Sequence, residues 1–137
     1  MSPTQIRLVQ ASWQQVPYTL EEIANRFYTR LFQMDPALKR LFRGDMNDQG
    51  RKSMSMLTFI VNSLGRMEEI VPVLRSLGSR HAGYGVRDEH YGTVGATLLA
   101  TLEEALGPRF TPEVRSAWMA ALEALAGTMT AAAKAPA

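Results

Sequence analysis

Two histidines are the side chains in this sequence best suited to bind a metal, and their sequence surroundings differ. Counting back from His81 at helical spacing gives an apolar stripe made of Leu77, Leu74 or Val73, and Ile70. The stripe predicts that the His81 imidazole lies on the buried face of a helix, just before that helix ends. A lone histidine in such a pattern is more often a hydrogen-bonded core residue than a metal ligand. His90 lies in a charged opening turn and is predicted to be a solvated residue at a helix start.

Four other side chains could carry polar or ring chemistry in a buried setting. Tyr28 lies among Ala24, Phe27, Leu31 and Phe32, which predicts a core tyrosine whose hydroxyl reaches a hydrogen-bond partner. Gln49 and Ser53 are polar residues at the start of one face of an otherwise apolar helix. Considered by itself, Gln49 would be a helix cap or a solvated first-turn residue. Phe42 alone would be ordinary core. These types and spacings leave the structural and functional interpretations open.

Composition and missing motifs narrow the classes of function. The 137 residues include 46% hydrophobic and 20% charged residues, which predicts one folded domain over residues 1–137. The net charge is +2 and the basic residues are scattered, which argues against a nucleic-acid partner. The absence of cysteine, of a signal-peptide layout and of an apolar run of about 18 residues predicts a cytoplasmic protein without membrane insertion. No nucleophile elbow, phosphate loop or paired-carboxylate arrangement supports catalysis by side chains alone.

Helical periodicity and capping signals predict an all-α chain of about seven helices. The first helix begins at Ser2-Pro3, with Gln5 completing a capping box, and runs to about Val16. The later segments begin at Thr19, at Asp35-Pro36, at about Gln49, at Met67, at Asp88 and at Thr111-Pro112. The polar stretch 43–48 is interpreted as a connector, and 132–137 as a frayed tail. Pro72 leaves open whether 67–81 is one helix or a broken pair.

Taken together, these residues resemble globins of the flavohaemoglobin and single-domain bacterial haemoglobin type, over essentially the whole chain. The resemblance is carried by Ser12-Trp13, the Trp118 helix and the runs FYTRLFQMDPALKRLF, QGRKSM and LGSRHAGYGVRDEHYGTVGATLL. It implies a globin fold around one haem b, with His81 as the proximal iron ligand. It also implies Tyr28 and Gln49 as distal hydrogen-bond donors and Phe42 as a ring packed on the haem.

The resemblance implies further contacts around that haem. A backbone carbonyl one turn before His81, near Leu77, is the expected acceptor for the other ring nitrogen. Arg80 and Lys52 are expected to pair with the haem propionates, with simple solvation as the alternative. Donors from Tyr28 and Gln49 should stabilise bound oxygen by roughly 1.5 to 3 kcal/mol for each charge-assisted bond, which predicts slow oxygen release.

Three features of this sequence depart from the pattern of the flavohaemoglobins. Tyr91 matches the tyrosine that pairs with the proximal histidine, but Ala131 to Ala133 lie where the family has a glutamate, which weakens the case for peroxidase-like chemistry. Ser53 occupies a haem-facing position where related proteins have a larger apolar residue, so it could admit water or enlarge the distal cavity. The sequence also contains no flavin and nicotinamide reductase domain after the globin segment.

The resemblance implies a protein that reversibly binds oxygen for storage, delivery or buffering, as a monomer or homodimer. The alternative enzymatic function is nitric oxide dioxygenase, in which oxygen reacts with nitric oxide and a separate reductase restores ferrous iron. A haem-free interaction or sensor module, with His81 acting only in packing, is a third hypothesis.

Overall fold

The computed structural model describes residues 1–42, 44–83 and 85–134. These residues form six α-helices: α1 (Pro3–Gln14), α2 (Leu20–Met34), α3 (Met46–Asn62), α4 (Met67–Gly83), α5 (Asp88–Leu106) and α6 (Pro112–Lys134). Short 3₁₀ helices cover Pro36–Leu41, Leu64–Arg66 and Gly107–Arg109, and no strand occurs in the described ranges. The predicted all-helical class is therefore confirmed. None of the helices in these ranges is both long enough and apolar enough to cross a bilayer.

Local hydrogen bonds set the first helix boundaries as the sequence predicts. The Ser2 hydroxyl accepts from the Gln5 backbone N–H at 3.1 Å, and the Gln5 side chain accepts from the Ser2 N–H at 2.9 Å. Thr19 and Glu22 form the same reciprocal pair at the start of α2. Each box satisfies two backbone donors that a helix start leaves unpaired.

Two predicted helix starts need correction. Helix α3 begins at Met46 rather than near Gln49, because the Asp45 carboxylate accepts from the Asn47 N–H at 2.9 Å and caps the helix earlier. Residues 46–48 of the predicted connector thus form its first turn, in which Asn47 is exposed and Met46 is half-buried against the core. Arg43, also in the predicted connector, lies outside the described residues. Helix α5 has Asp88 as its first residue rather than its cap, and His90 Nδ1 accepts from the preceding Arg87 N–H at 2.9 Å. The prediction of His90 as simply solvated therefore misses this capping bond.

The segment 67–81, left open as one helix or two, is a single helix that continues to Gly83. Pro72 lies near its N-terminus and is exposed, so it removes one backbone hydrogen bond without interrupting the helix. At the other end of the chain α6 continues to Lys134, and the part of the predicted frayed tail at 135–137 lies outside the described residues.

Two tryptophans join α1 to α6 and α3 within the larger core cluster. The rings of Trp13 and Trp118 lie 6.0 Å apart between centroids, at 59°. Trp118 Nε1 donates to the Ser12 hydroxyl at 2.8 Å, and Trp13 Nε1 donates to the Thr58 hydroxyl at 3.0 Å. Both indole N–H groups are thus satisfied, which lets these large rings be buried without a polar penalty.

Two glycines permit close contacts between helices. A Cβ on Gly50 of α3 would lie 2.9 Å from the Ala24 Cβ of α2, and one on Gly78 of α4 would lie 2.2 Å from the Met129 carbonyl oxygen of α6. Consequently α3 packs tightly on α2, and α4 packs tightly on α6. Helices α3 and α4 meet each other through a smaller apolar cluster near their shared connection, made of Ile60, Ile70, Leu74 and, from α6, Leu125.

Candidate functional site

The Tyr28 ring is held by neighbouring aromatic rings and by the backbone of α3. Its centroid lies 5.0 Å from Phe27 and 5.2 Å from Phe42, both edge-on, and 6.0 Å from Phe32. A Cβ on Gly50 would lie 3.6 Å from its Cε2, so the ring also lies directly against α3. Only 9% of Tyr28 is exposed, and its hydroxyl therefore has a defined direction.

The Tyr28 hydroxyl has a protein partner, since it donates a hydrogen bond to the Ser53 Oγ at 3.0 Å. Ser53 lies three residues after Gly50, so the same helical face that contacts the ring also meets its hydroxyl. Burial raises the pKa of Tyr28, and the Ser53 hydroxyl, which can turn to donate to the phenolate, partly opposes that rise. The tyrosine is accordingly neutral and able to donate at physiological pH.

Gln49 and Phe42 lie beside this pair. Gln49 is in the first turn of α3 and is half-buried, and its side-chain amide extends over the preceding turn. There, a Cβ on Gly44 would lie 3.4 Å from the Gln49 Nε2, and Gly44 itself has a left-handed φ of +87°. Phe42 is half-buried and contacts both Tyr28 and Phe32, the latter at 5.4 Å between centroids. Phe42 therefore flanks Tyr28 directly, while the Gln49 amide lies over the turn at Gly44.

His81 lies in the last turn of α4 and is half-buried. Its Nδ1 lies 2.5 Å from the Leu77 carbonyl oxygen, which can only accept, so Nδ1 carries the proton. The predicted acceptor one turn before His81 is thus confirmed. A protonated Nδ1 leaves the lone pair on Nε2, which is the arrangement that metal-binding histidines use.

Tyr91 is the aromatic neighbour of His81. The two ring centroids lie 6.4 Å apart at 49°. Partial burial raises the pKa of Tyr91, and the charge of Asp88 raises it further. Ala131 and Ala132 lie near the end of α6, while the side chain of Ala133 lies outside the described part of the chain.

The two basic residues expected near the site are both exposed. Lys52 Nζ forms an ion pair with the Asp48 Oδ2 at 3.0 Å, and the Lys52 side chain is 75% exposed. The hydrogen bond from Lys52 and its charge lower the pKa of Asp48. Arg80 directly precedes His81 and is exposed. Both side chains can therefore reach an anion at the surface, although Lys52 would have to leave Asp48 to do so.

The structure thus places the predicted residues in two groups. Tyr28, Ser53, Phe42 and Gln49 lie where α2 meets α3, whereas His81 and Tyr91 lie at the end of α4 and the start of α5. Two cavities of the described part lie elsewhere. One, of about 390 Å³, is on the outer face of α3, and one of about 250 Å³ lies beside the Pro36–Leu41 segment and the start of α5. The side-chain contacts described above, and not these two cavities, define the candidate site. Phe42, Gln49 and His81 are only half-buried in it.

Among the described residues no three metal-ligating side chains come together, so a metal bound here would need most of its ligands from a cofactor. His81 offers one neutral imidazole nitrogen, Phe42 offers a ring face, and Tyr28 and Gln49 offer donors without a charge. The model of the Globin family matches residues 25–129. The chain belongs to the globin family. Membership of this family implies a haem cofactor.

Relatives of this globin carry several functional names. It is 32% identical over 105 residues to the flavohemoprotein of Bacillus subtilis, covering 72% of this chain and 25% of that protein. It is 31% identical over 129 residues to the flavohemoprotein of Bordetella parapertussis, covering 92% and 32%. The chain therefore spans only about a quarter to a third of the length of these flavohemoproteins.

Two other matches cover both chains almost completely. The anaerobic nitrite reductase NSHB5 of Oryza sativa subsp. indica is 32% identical over 134 residues, which covers 93% of this chain and 92% of that protein. A solved structure of an engineered carbene transferase from a candidate nitric oxide dioxygenase of Rhodothermus marinus superposes with a TM-score of 0.86 at 26% identity. It covers 97% of this globin and 93% of that chain.

Sequence reasoning missed several residues that build the site. Gly50 is one of them, and its signal was available, because a glycine inside a helix that carries buried residues often marks a close backbone approach. Asp48 as the partner of Lys52 could have been recognised from its i,i+4 spacing. The bond between Tyr28 and Ser53 joins two helices and has no local signal.

Proposed function

We propose that this globin holds haem b through His81 and reversibly binds oxygen, for storage, delivery or buffering. The observation that carries the proposal is the bond between His81 Nδ1 and the Leu77 carbonyl, because it leaves the Nε2 lone pair available to hold a haem iron. When bound, haem would supply an iron that can take up a diatomic gas.

The chain's own residues have distinct parts in this proposal. The Leu77 carbonyl fixes the tautomer and the ring orientation of His81. Phe42 supplies an apolar wall beside Tyr28, and the Tyr28 and Gln49 side chains supply neutral donors that favour a ligand with partial negative charge. Arg80 and Lys52 are exposed and long enough to neutralise propionate groups at the surface.

The spectra of purified protein in the ferric, ferrous and oxygen-exposed states test this proposal directly. Wild type should show a haem spectrum and a stable oxygen complex, and His81→Ala should lose or grossly alter both. His90→Ala is the matched control, because His90 is the other histidine and its Nδ1 is used for capping the start of α5. No haem uptake, or a spectrum that His81→Ala leaves unchanged, would refute the assignment.

Nitric oxide dioxygenase is the second candidate, and the structural similarity to the candidate dioxygenase of Rhodothermus marinus favours it. In that reaction oxygen, nitric oxide and one electron give nitrate, so a separate reductase must supply the electron. Turnover measured with a supplied reductase separates the two functions. If consumption stops after one molecule of nitric oxide per haem, oxygen binding remains the proposed function. Nitrite supplied anaerobically in the same assay tests the activity named for the rice relative.

A further inference from the structure

The hydrogen bond between Tyr28 and Ser53 has no part in the function proposed above. The phenol of Tyr28 has one proton to donate, and the Ser53 Oγ, 3.0 Å away, is an acceptor within hydrogen-bond reach. Any other acceptor that approaches Tyr28 must therefore compete with Ser53 for that proton.

The surroundings of Tyr28 make this competition hard to avoid. Rings of Phe27, Phe32 and Phe42 pack around the tyrosine, and Gly50 lies against its edge, so the ring cannot swing to reach a second position. Only rotation about the C–O bond remains to redirect the proton. The direction of the hydroxyl is thus set by whichever acceptor binds it more strongly.

Ser53, by contrast, is an exposed residue on the helix that carries Gln49. Its side chain contributes little to the core, so its main interaction within the described residues is the bond it accepts from Tyr28. An apolar residue at this position would leave the Tyr28 proton without that partner. Ser53 therefore makes the Tyr28 proton less available to any other acceptor.

We propose that Ser53 is a positioning residue that retains the Tyr28 hydroxyl proton and so shortens the residence of a gas molecule bound beside Tyr28. The inference rests on the proposed function, since it concerns the same pocket. It goes beyond that function because it predicts faster release than a tyrosine and glutamine pair alone would give. Ser53 acts through Tyr28 and does not itself donate to the gas.

The central experiment is the oxygen dissociation rate of haem-loaded Ser53→Ala, compared with wild type. A hydrogen bond between neutral groups changes an equilibrium by roughly 2- to 12-fold, so release from Ser53→Ala should be slower by about that factor. Ser53→Thr keeps a hydroxyl and should stay near wild type. Ser55→Ala is the matched control, because Ser55 is an exposed serine two residues further along α3.

A double-mutant cycle shows whether the effect passes through the tyrosine. In a Tyr28→Phe background, the Ser53→Ala substitution should leave the dissociation rate unchanged. The C–O stretching frequency of the carbon monoxide complex supplies a readout independent of oxygen kinetics. It should fall in Ser53→Ala, as the freed Tyr28 proton turns to the ligand, and should not fall when Tyr28 is Phe.

The outcomes separate this inference from the proposed function. If oxygen release becomes faster in Ser53→Ala, then Ser53 donates to the ligand directly and the inference is wrong. If both the rate and the stretching frequency match wild type in a haem-loaded, oxygen-binding protein, the inference fails while the proposed function stands. If the wild-type protein takes up no haem, both are overturned.

Discussion

Gly78 is the position where α4 lies closest to α6, and adding one methyl group there tests how the helix that carries His81 is held. In Gly78→Ala the new Cβ would lie 2.2 Å from the Met129 carbonyl oxygen and 2.8 Å from the Met129 Cα. Packed carbon atoms normally lie about 3.5 to 4.0 Å apart, so the two helices must separate by about 1 Å.

The expected magnitude follows from two opposing terms. Overpacking a core costs about 1 to 3 kcal/mol, and the upper end applies because the obstructing atoms are backbone and cannot rotate away. Alanine is favoured over glycine inside a helix by about 1 kcal/mol. We therefore expect Gly78→Ala to lose about 2 kcal/mol of unfolding free energy.

Urea unfolding followed by circular dichroism measures this loss. Gly127→Ala on α6 is the control, because nothing lies within 4 Å of its Cβ, and it should gain about 0.5 to 1 kcal/mol. The rate at which haem leaves for an excess acceptor protein gives the functional readout. It should rise in Gly78→Ala, because His81 lies one turn further along α4, while the bond from His81 to Leu77 is intrahelical and survives.

Two results would refute this reasoning. Gly78→Ala that resists urea as well as wild type would show that α4 and α6 do not need this close approach. A destabilised Gly78→Ala whose haem leaves at the wild-type rate would show that this contact does not position His81.

Two further predictions concern buried polar groups. Ser12→Ala removes the acceptor of the Trp118 indole N–H, and Trp118 is only 1% exposed, so the substitution should lower the free energy of unfolding in urea by about 1 to 3 kcal/mol. Ser116→Ala, exposed on α6, should lower it by almost nothing. Equal unfolding midpoints for the two variants would contradict the assignment of this hydrogen bond. Burial raises the pKa of Tyr28 above its ordinary value of 10.0, so the folded protein keeps a proton that the unfolded chain loses, and stability should fall as pH rises past 10.0. Tyr28→Phe should show a smaller fall, with Tyr91 retaining part of it, and an unchanged pH slope of the unfolding free energy would disprove this contribution.

The candidate site could be predicted from sequence where its contacts are local. Leu77 and His81 are four residues apart on one helix, so the helical repeat places the carbonyl beside the ring nitrogen. The capping box of Ser2 with Gln5 is predictable for the same reason. The start of α3 was missed although its signal is local, because Asp45 competes as a cap with other polar residues in the same turn.

Contacts between helices could not be predicted in this way. Tyr28 and Ser53 are 25 residues apart, and their bond depends on the register in which α2 crosses α3. That register is set by the close approach at Gly50, which a helical pattern does not reveal. The position of α4 depends similarly on Gly78 against the α6 backbone.

The sequence by itself determined the helical class and most helix boundaries. Through family resemblance it also predicted His81 as the ligand and the roles expected of Tyr28, Gln49 and Phe42. Only the tertiary structure decided that the hydroxyls of Tyr28 and Ser53 meet across α2 and α3. The physical reason is that backbone periodicity dictates neighbours within a helix. Neighbours across helices depend on which turns approach closely, and small residues such as Gly50 and Gly78 decide that approach.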